Sequence, residues 1–462
     1  MKGVDILLEN LFKLKENGTN ARTEMLAGLT TFMTMAYILA VNPAILSATG
    51  MDAGAIFTAT AISSCIGTLL MAAFANYPFA LAPGMGLNAF FAYTVVGQMG
   101  YSWQVALAAV FIEGIIFLLL SLTPVREAIF NSIPAALKFG VTGGIGLFIA
   151  FIGLQNAHIV VDSVTLVKIY PFKAAIANGE IFSTGMGAII ALIGVLLTAI
   201  LMAKNVRGGI LIGILGTWII GMLAEVVGLY VPNPELGMFS AFPDFSKGLY
   251  VPSIMPTVMQ MDFTGILTFN FVTVMLSFMF VDLFDTLGTL IGVASKAKML
   301  DKDGKLPHIK GALLADSTAT IAGAMLGTST VTTFVESSSG VMAGGRTGLT
   351  AVTVAGLFLL SLLFAPIFLA IPAFATAPAL IIVGFLMLGT VLNIDFNNIA
   401  EAVPAFVAII AMPFMYSISE GISLGVISYV FINMVMGSEA RQKISGIMYV
   451  LAILFILKYI FV

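Results

Sequence analysis

From about residue 25 to the end of the chain, apolar runs near 20 residues alternate with short polar breaks. Each run is long enough to cross roughly 30 Å of hydrocarbon as a helix. The pattern predicts fourteen spans, at 25–41, 56–74, 80–92, 105–122, 133–154, 185–203, 209–228, 266–293, 312–325, 327–346, 352–364, 371–392, 402–415 and 422–436. Spans 3 and 10 are interrupted. In the third, APGMGLNAFFA, residues 80–87 read as extended, with a short helix after Asn88. In the tenth, GTSTVTTFVESSSGVMAGGR, Ser, Thr, Val and Phe over 328–334 suit extended backbone, and the small residues 337–345 suit a short helix. A polar outer loop is expected after span 5 and a proline-rich one over 230–262. The last apolar stretch, 447–462, fits an interfacial helix and a further span equally well.

The two halves repeat. Ile133-Pro134-Ala135 matches Ile371-Pro372-Ala373, Gly209–Gly213 matches Gly421–Gly425, and Gly114 with Pro124 matches Gly356 with Pro366. Seven is odd, so two consecutive seven-span units are inverted relative to each other. Inverted repeats with broken helices in corresponding places point to a secondary transporter whose site lies where the breaks meet. Irregular backbone cannot face lipid, so both interruptions must line a protein cavity. Asn88 in the first break holds the place of Glu336 in the second.

Acids inside apolar spans carry the candidate chemistry, because each costs at least about 2.5 kcal/mol unless it faces protein or water. Asp282 and Asp285 fall with Thr286 and Thr289 on one helical face of SFMFVDLFDTLGTLIG. Glu336 sits where a helix start favours negative charge. Pro83, Gly84 and Gly86 loosen the first break, and Asn88 offers an amide to a ligand. Phe90 and Phe334 could stack on a planar ligand, although packing explains any one phenylalanine among 36. Glu113 lies within span 4, while Glu401 and Glu420 fall near span ends.

Composition sets the class. Of 462 residues 60% are hydrophobic and 9% charged, with a mean hydropathy of +1.08, so the chain is a polytopic helical membrane protein. A formal charge of −3 argues against a nucleic-acid partner. One cysteine, Cys65, excludes an internal disulfide. His158 and His308 have no metal-ligand partners at useful spacing, and no Walker motif, Ser–His–Asp order or CxxC pair appears. Neither an enzyme nor a metal site is expected. Lys13, Lys15, Arg22, Lys204, Arg207, the 296–310 loop, Arg441 and Lys443 fall on one side, which the positive-inside rule makes cytoplasmic together with the N-terminus.

RTEMLAGLTTFMTMAYILAVNP, APGMGLNAFF, FVDLFDTLGTLIGVA and TTFVESSSGVMAGGRTGLTA together resemble the azaguanine-resistance branch of the nucleobase–cation symporter-2 superfamily. The resemblance runs from about Arg22 to Tyr429. It implies an all-α fold of 14 segments in a 7+7 inverted repeat, divided into core and gate. The core would comprise 22–132 and 263–368, and the gate 133–262 and 369–437. An N-terminal cytoplasmic segment, 1–21, and a C-terminal segment, 438–462, would flank them. It further implies import of adenine, guanine or hypoxanthine with protons across the plasma membrane, no cofactor, and a homodimer.

Carried over by motif, Asp282 and Glu336 are the main purine-contacting acids, Asn88 is the first-half polar contact, and Asp285 is a neighbour needed for transport. Thr333 and Phe334 join the substrate set, and Pro83, Gly84, Gly86 and Thr332 supply the interrupted backbone. The chemistry suits the substrate, since a carboxylate accepts two N–H groups side by side from a purine edge. Glu336 would take the base edge and Asp282 the opposite edge. Asp285 would titrate, because two neighbouring carboxylates do not both ionise cheaply. A xanthine- or uracil-type permease and a passive facilitator or channel are the alternatives.

Overall fold

The computed structural model describes residues 8–123, 125–126, 132–233, 238–246, 248–265, 268–296, 298–299 and 306–461. Residues 1–7, Pro124, and residues 297 and 300–305 of the basic loop lie outside the described residues.

The expected first span is two helices, α1 (Ala21–Met35) and α2 (Ile38–Leu46), parted at Ala36–Tyr37. Helix α3 (Ala53–Ala75) starts at Asp52, whose carboxylate accepts the Ala55 amide. It ends at Asn76 in the left-handed region. Strand β1 (Leu81–Pro83) leads into α4 (Met85–Ala89), which continues as π-helical turns through Gln98. The short helix therefore opens four residues earlier than the sequence suggests, and Asn88 lies inside it rather than before it. Helices α5 (Trp103–Ser121) and α6 (Ala135–Asn156) follow. The outer loop carries a hairpin, β2 (Val160–Ser163) and β3 (Leu166–Ile169), that hydropathy did not reveal.

Next come α7 (Met186–Ala203), α8 (Gly209–Val226), α9 (Phe269–Lys296) and α10 (Ile309–Leu326). The second interruption is strand β4 (Val331–Thr333) and the short helix α11 (Ser337–Met342). Helices α12 (Gly348–Ser361), α13 (Ala373–Leu388), α14 (Ile399–Phe414), α15 (Ile418–Val435) and α16 (Gly446–Phe461) complete the chain.

Ten helical segments among the described residues are long and apolar enough to cross a membrane. The other four expected spans are the two interrupted segments, the polar-rich α10, and α14, which at 16 residues is about 24 Å long. The fold is mostly helical and membrane-spanning.

The helices pack in two groups. In one, α3 packs on α10 and α12, α1 on α12 and α11, and α5 on α10; in the other, α6 packs on α13 and α14, α7 on α8 and α13, and α14 on α15. Helix α9 touches α5, β4 and α11 on one side and α6 and α15 on the other. It is the seam of the molecule.

Buried Glu24 joins α1 to α12. Its carboxylate accepts the amides of Arg346 (2.8 Å), Thr347 (3.2 Å) and Thr350 (3.2 Å), and the Thr350 hydroxyl at 2.6 Å. It thus caps a helix on which it does not lie. Glu24→Ala strands these donors, each costing roughly 1–3 kcal/mol. Thermal unfolding in detergent should show a clear fall in midpoint, smaller for Glu24→Gln.

The last helix is tied down. Lys458 Nζ lies 2.5 Å from Glu420 Oε1 and 3.2 Å from Ser419 Oγ, and the Tyr459 hydroxyl donates to Glu420. The Phe455 ring stands edge-on to Phe280 of α9, 5.8 Å between centroids. The end of α16 thereby meets the start of α15, so the two run antiparallel side by side. Glu420, expected near a span end, is the buried lysine's counter-charge.

Candidate functional site

The two interruptions meet. β1 and β4 pair antiparallel, with Leu81 opposite Thr333, Ala82 opposite Thr332 and Pro83 opposite Val331. Flanking bonds extend the ladder, from Gly84 N to Thr330 O (3.0 Å) and from Phe334 N to Ala80 O (2.9 Å). Neighbouring side chains serve the outward groups. Thr68 Oγ1 accepts the Leu81 amide at 2.9 Å, and Ser337 Oγ accepts the Ala80 amide at 3.0 Å. Extended backbone is tolerated here because each break supplies the other's hydrogen-bond partners.

Glu336 stands at the entry of α11, but its side chain makes no cap bond. Its carboxylate instead accepts the Tyr37 hydroxyl at 2.5 Å, from the parting between α1 and α2. Thr34 Oγ1 pairs with Ser339 Oγ at 3.0 Å and fixes α11 against the same turn. The rings of Tyr37 and Phe334 lie 6.5 Å apart at 41°.

Asp285, on α9, reaches the first break. A methyl group on Gly84 would stand 3.2 Å from Asp285 Oδ2 and 2.7 Å from Thr332 Cγ2, so only glycine lets that carboxylate rest on the first break. The charges of Asp285 and Glu336 feel each other, and both act on Tyr37. Both acids are only partly buried, whereas Asp282 and Asn88 are fully buried. Access therefore separates the two aspartates of one helical stripe.

Asn88 belongs to the framework of the break. Its carbonyl accepts the Ser329 hydroxyl and its amide reaches Pro83 O at 3.4 Å. Thr333 is buried, with a hydroxyl that has no partner among the described residues. Thr332 bonds Thr286 at 2.7 Å. Phe90 stacks edge-on against Phe278, 4.8 Å between centroids, and is packing.

Asp282 faces a cluster that the sequence reading did not assemble. Arg126, just beyond α5, reaches Asp316 Oδ2 of α10 at 2.8 Å and Asp282 Oδ2 at 3.3 Å. It also donates to Ser317 Oγ at 3.0 Å and lies over the Phe117 ring, 3.9 Å from its centroid. All three charged residues are fully buried. Glu113, within the fourth expected span, accepts the Thr330 hydroxyl at 3.1 Å. Asp316 carries a signal, as an acid within the expected ninth span. Arg126 carried none, because a cation just after a span reads as a loop residue.

Gly86 faces the other helix group. A methyl group there would lie 2.7 Å from Ile145 Cγ2 of α6. Gly86→Val would force the two groups apart at this contact, read as a lower unfolding midpoint in detergent.

A bundle of membrane-crossing helices around two paired, broken segments is the architecture of a solute transporter. The fold matches the transmembrane domain of a cyanobacterium bicarbonate transporter, BicA, with a TM-score of 0.63, 15% identity, and coverage of 87% of this chain and 97% of that one. Residues 22–456 match the Permease family of xanthine/uracil type, and the chain belongs to that family. It is 43% identical to adenine permease AdeP of Escherichia coli over 458 residues, 99% of this chain and 96% of that one. It is 45% identical to guanine/hypoxanthine permease PbuO of Bacillus subtilis over 453 residues, 97% of this chain and 99% of that one. The protein is a permease, not an enzyme.

Proposed function

We propose that the protein imports purine nucleobases (adenine, guanine or hypoxanthine) together with protons across the plasma membrane, its N-terminus cytoplasmic. The observation that carries the reading is the pairing of β1 with β4, which sets partly buried Glu336 beside the Tyr37 and Phe334 rings, while partly buried Asp285 of α9 rests on Gly84 of the first break. A purine is flat, with N–H donors and ring acceptors on its edges. A carboxylate takes adjacent N–H groups as a bidentate acceptor, and aromatic rings cover the faces. Glu336 takes one edge and Asp285 the other. The substrate role expected of Asp282 passes to Asp285, because Arg126 and Thr286 already occupy the Asp282 carboxylate. Asn88, Pro83, Gly84, Gly86 and Thr332 shape the break, and Thr333, next to Phe334, offers a hydroxyl without a partner among the described residues. The relatives named adenine and guanine/hypoxanthine permease support the substrate class.

In this reading fourteen spans form a 7+7 inverted repeat. The group holding both breaks is the core, the group of α6–α8 and α13–α15 is the gate, and the site moves as the core rocks against the gate. Proton coupling uses the fully buried carboxylate of Asp282 on α9. In proteoliposomes, labelled hypoxanthine should accumulate against its gradient when the outside is acid, and a protonophore should collapse it. Equilibration without accumulation would mark a passive facilitator.

A further inference from the structure

Thr286 has too few protons for its contacts. Its Oγ1 lies 2.8 Å from Asp282 Oδ1, 2.9 Å from Asp316 Oδ1 and 2.7 Å from Thr332 Oγ1. A hydroxyl donates once and accepts through its lone pairs. Thr332 can donate to Thr286, and Thr286 can donate to one carboxylate. The second carboxylate contact is a full hydrogen bond only when that carboxylate carries a proton itself. Charge gives the same count. Arg126 is one cation against two aspartates, all fully buried, and an unpaired buried carboxylate is expensive. Two further buried atoms of this region, Arg126 Nε and Glu113 Oε1, have no partner among the described residues, so the region is not a closed, fully satisfied set of bonds.

We propose that Asp282 and Asp316 share a single proton through the Thr286 hydroxyl, and that this pair is the permease's proton store. The contact of Arg126 with Asp316 at 2.8 Å, against 3.3 Å with Asp282, holds Asp316 as the carboxylate and leaves the proton on Asp282. Transfer conserves every atom. The Asp282 O–H bond breaks toward Thr286 Oγ1 as the Thr286 proton passes to Asp316 Oδ1, and no other donor is needed. The charged groups facing the pair are Arg126, Asp285 of the same helix, and Glu113 of α5, with Glu336 acting on Asp285 beyond. With the proton in place Arg126 balances the pair. Its loss leaves one uncompensated negative charge behind β4, whose Thr332 is the third partner of Thr286. Proton loading is thereby wired to the strand that carries Thr333 and Phe334.

The inference rests on the symport reading, and its test separates the two. Full-length protein in proteoliposomes is assayed with labelled hypoxanthine, by counterflow exchange and by accumulation on a pH gradient. Asp282→Asn, which mimics the protonated acid permanently, should still exchange while its gradient-driven accumulation falls to equilibration. An Asp282→Asn protein that still concentrates hypoxanthine on a pH gradient overturns the shared proton. Infrared difference spectra between acid and alkaline pH give a readout that does not depend on that variant folding. The wild type should show a protonated-carboxyl C=O band that shifts in Thr286→Val and persists in Asp285→Asn. A band unmoved by Thr286→Val, or lost in Asp285→Asn, overturns the proposal. A wild type that exchanges but never accumulates overturns the symport reading, and the shared proton then stands or falls on the infrared band.

Discussion

A Glu336→Gln permease should import purine roughly 100-fold more slowly than the wild type, with folding and expression unchanged. The carboxylate accepts the Tyr37 hydroxyl at 2.5 Å and has acceptor capacity left for a base edge. Glutamine has the same size but keeps one acceptor oxygen and turns a donor NH2 toward the N–H groups of the purine. One charge-assisted bond is lost and one buried donor is left facing another. Together these are worth about 3 kcal/mol, or about two decades in rate. The same substitution weakens the hold on Tyr37, so part of the loss is in positioning. Initial rates of labelled hypoxanthine uptake across a concentration series check it. Uptake within about threefold of wild type would remove Glu336 from the substrate's edge.

Arg126→Met should destabilise the protein more than any single change at the site. It removes the cation that, among the described residues, pairs with the fully buried Asp282 and Asp316. Breaking a buried ion pair by deleting one partner costs about 3–5 kcal/mol, because the orphaned charge remains out of water. The sharper expectation concerns rescue. Adding Asp282→Asn and Asp316→Asn to Arg126→Met removes the orphaned charges, and thermal unfolding should recover most of the lost midpoint while transport stays dead. Unfolding midpoints of the single and triple variants in detergent decide this. A triple variant no more stable than Arg126→Met would mean that the arginine holds the helices through its contacts with Ser317 and Phe117 rather than through charge.

The sequence made the spans legible because each long apolar run has only one low-energy state in hydrocarbon. It also made the breaks legible. Proline and glycines at 83, 84 and 86, and the Ser/Thr run before Glu336, cannot continue a lipid-facing helix, and the two segments do pair as strands. What it could not give is rotation and depth. Asp282 and Asp285 share a stripe, yet 100° per residue spreads them far enough apart for one to meet Arg126 and the other Gly84. Tyr37 reads as one more apolar residue until the helix parts beside it. Hydropathy leaves the terminal helix undecided because its placement depends on tertiary contacts, Lys458 and Tyr459 with Glu420 and Phe455 with Phe280. Asp316 was visible as a polar intruder in α10, but its importance follows from Arg126, which reaches in from beyond its own span.

A purine held at its edges by Glu336 and Asp285 dictates which bases compete for uptake. Initial-rate uptake of labelled hypoxanthine into proteoliposomes, in competition with adenine, guanine, xanthine and uracil, tests it most directly. Adenine or guanine should compete at concentrations comparable to hypoxanthine, and uracil, which lacks the second ring, should not compete at a hundredfold excess. Strong competition by uracil with none by adenine or guanine would contradict the account.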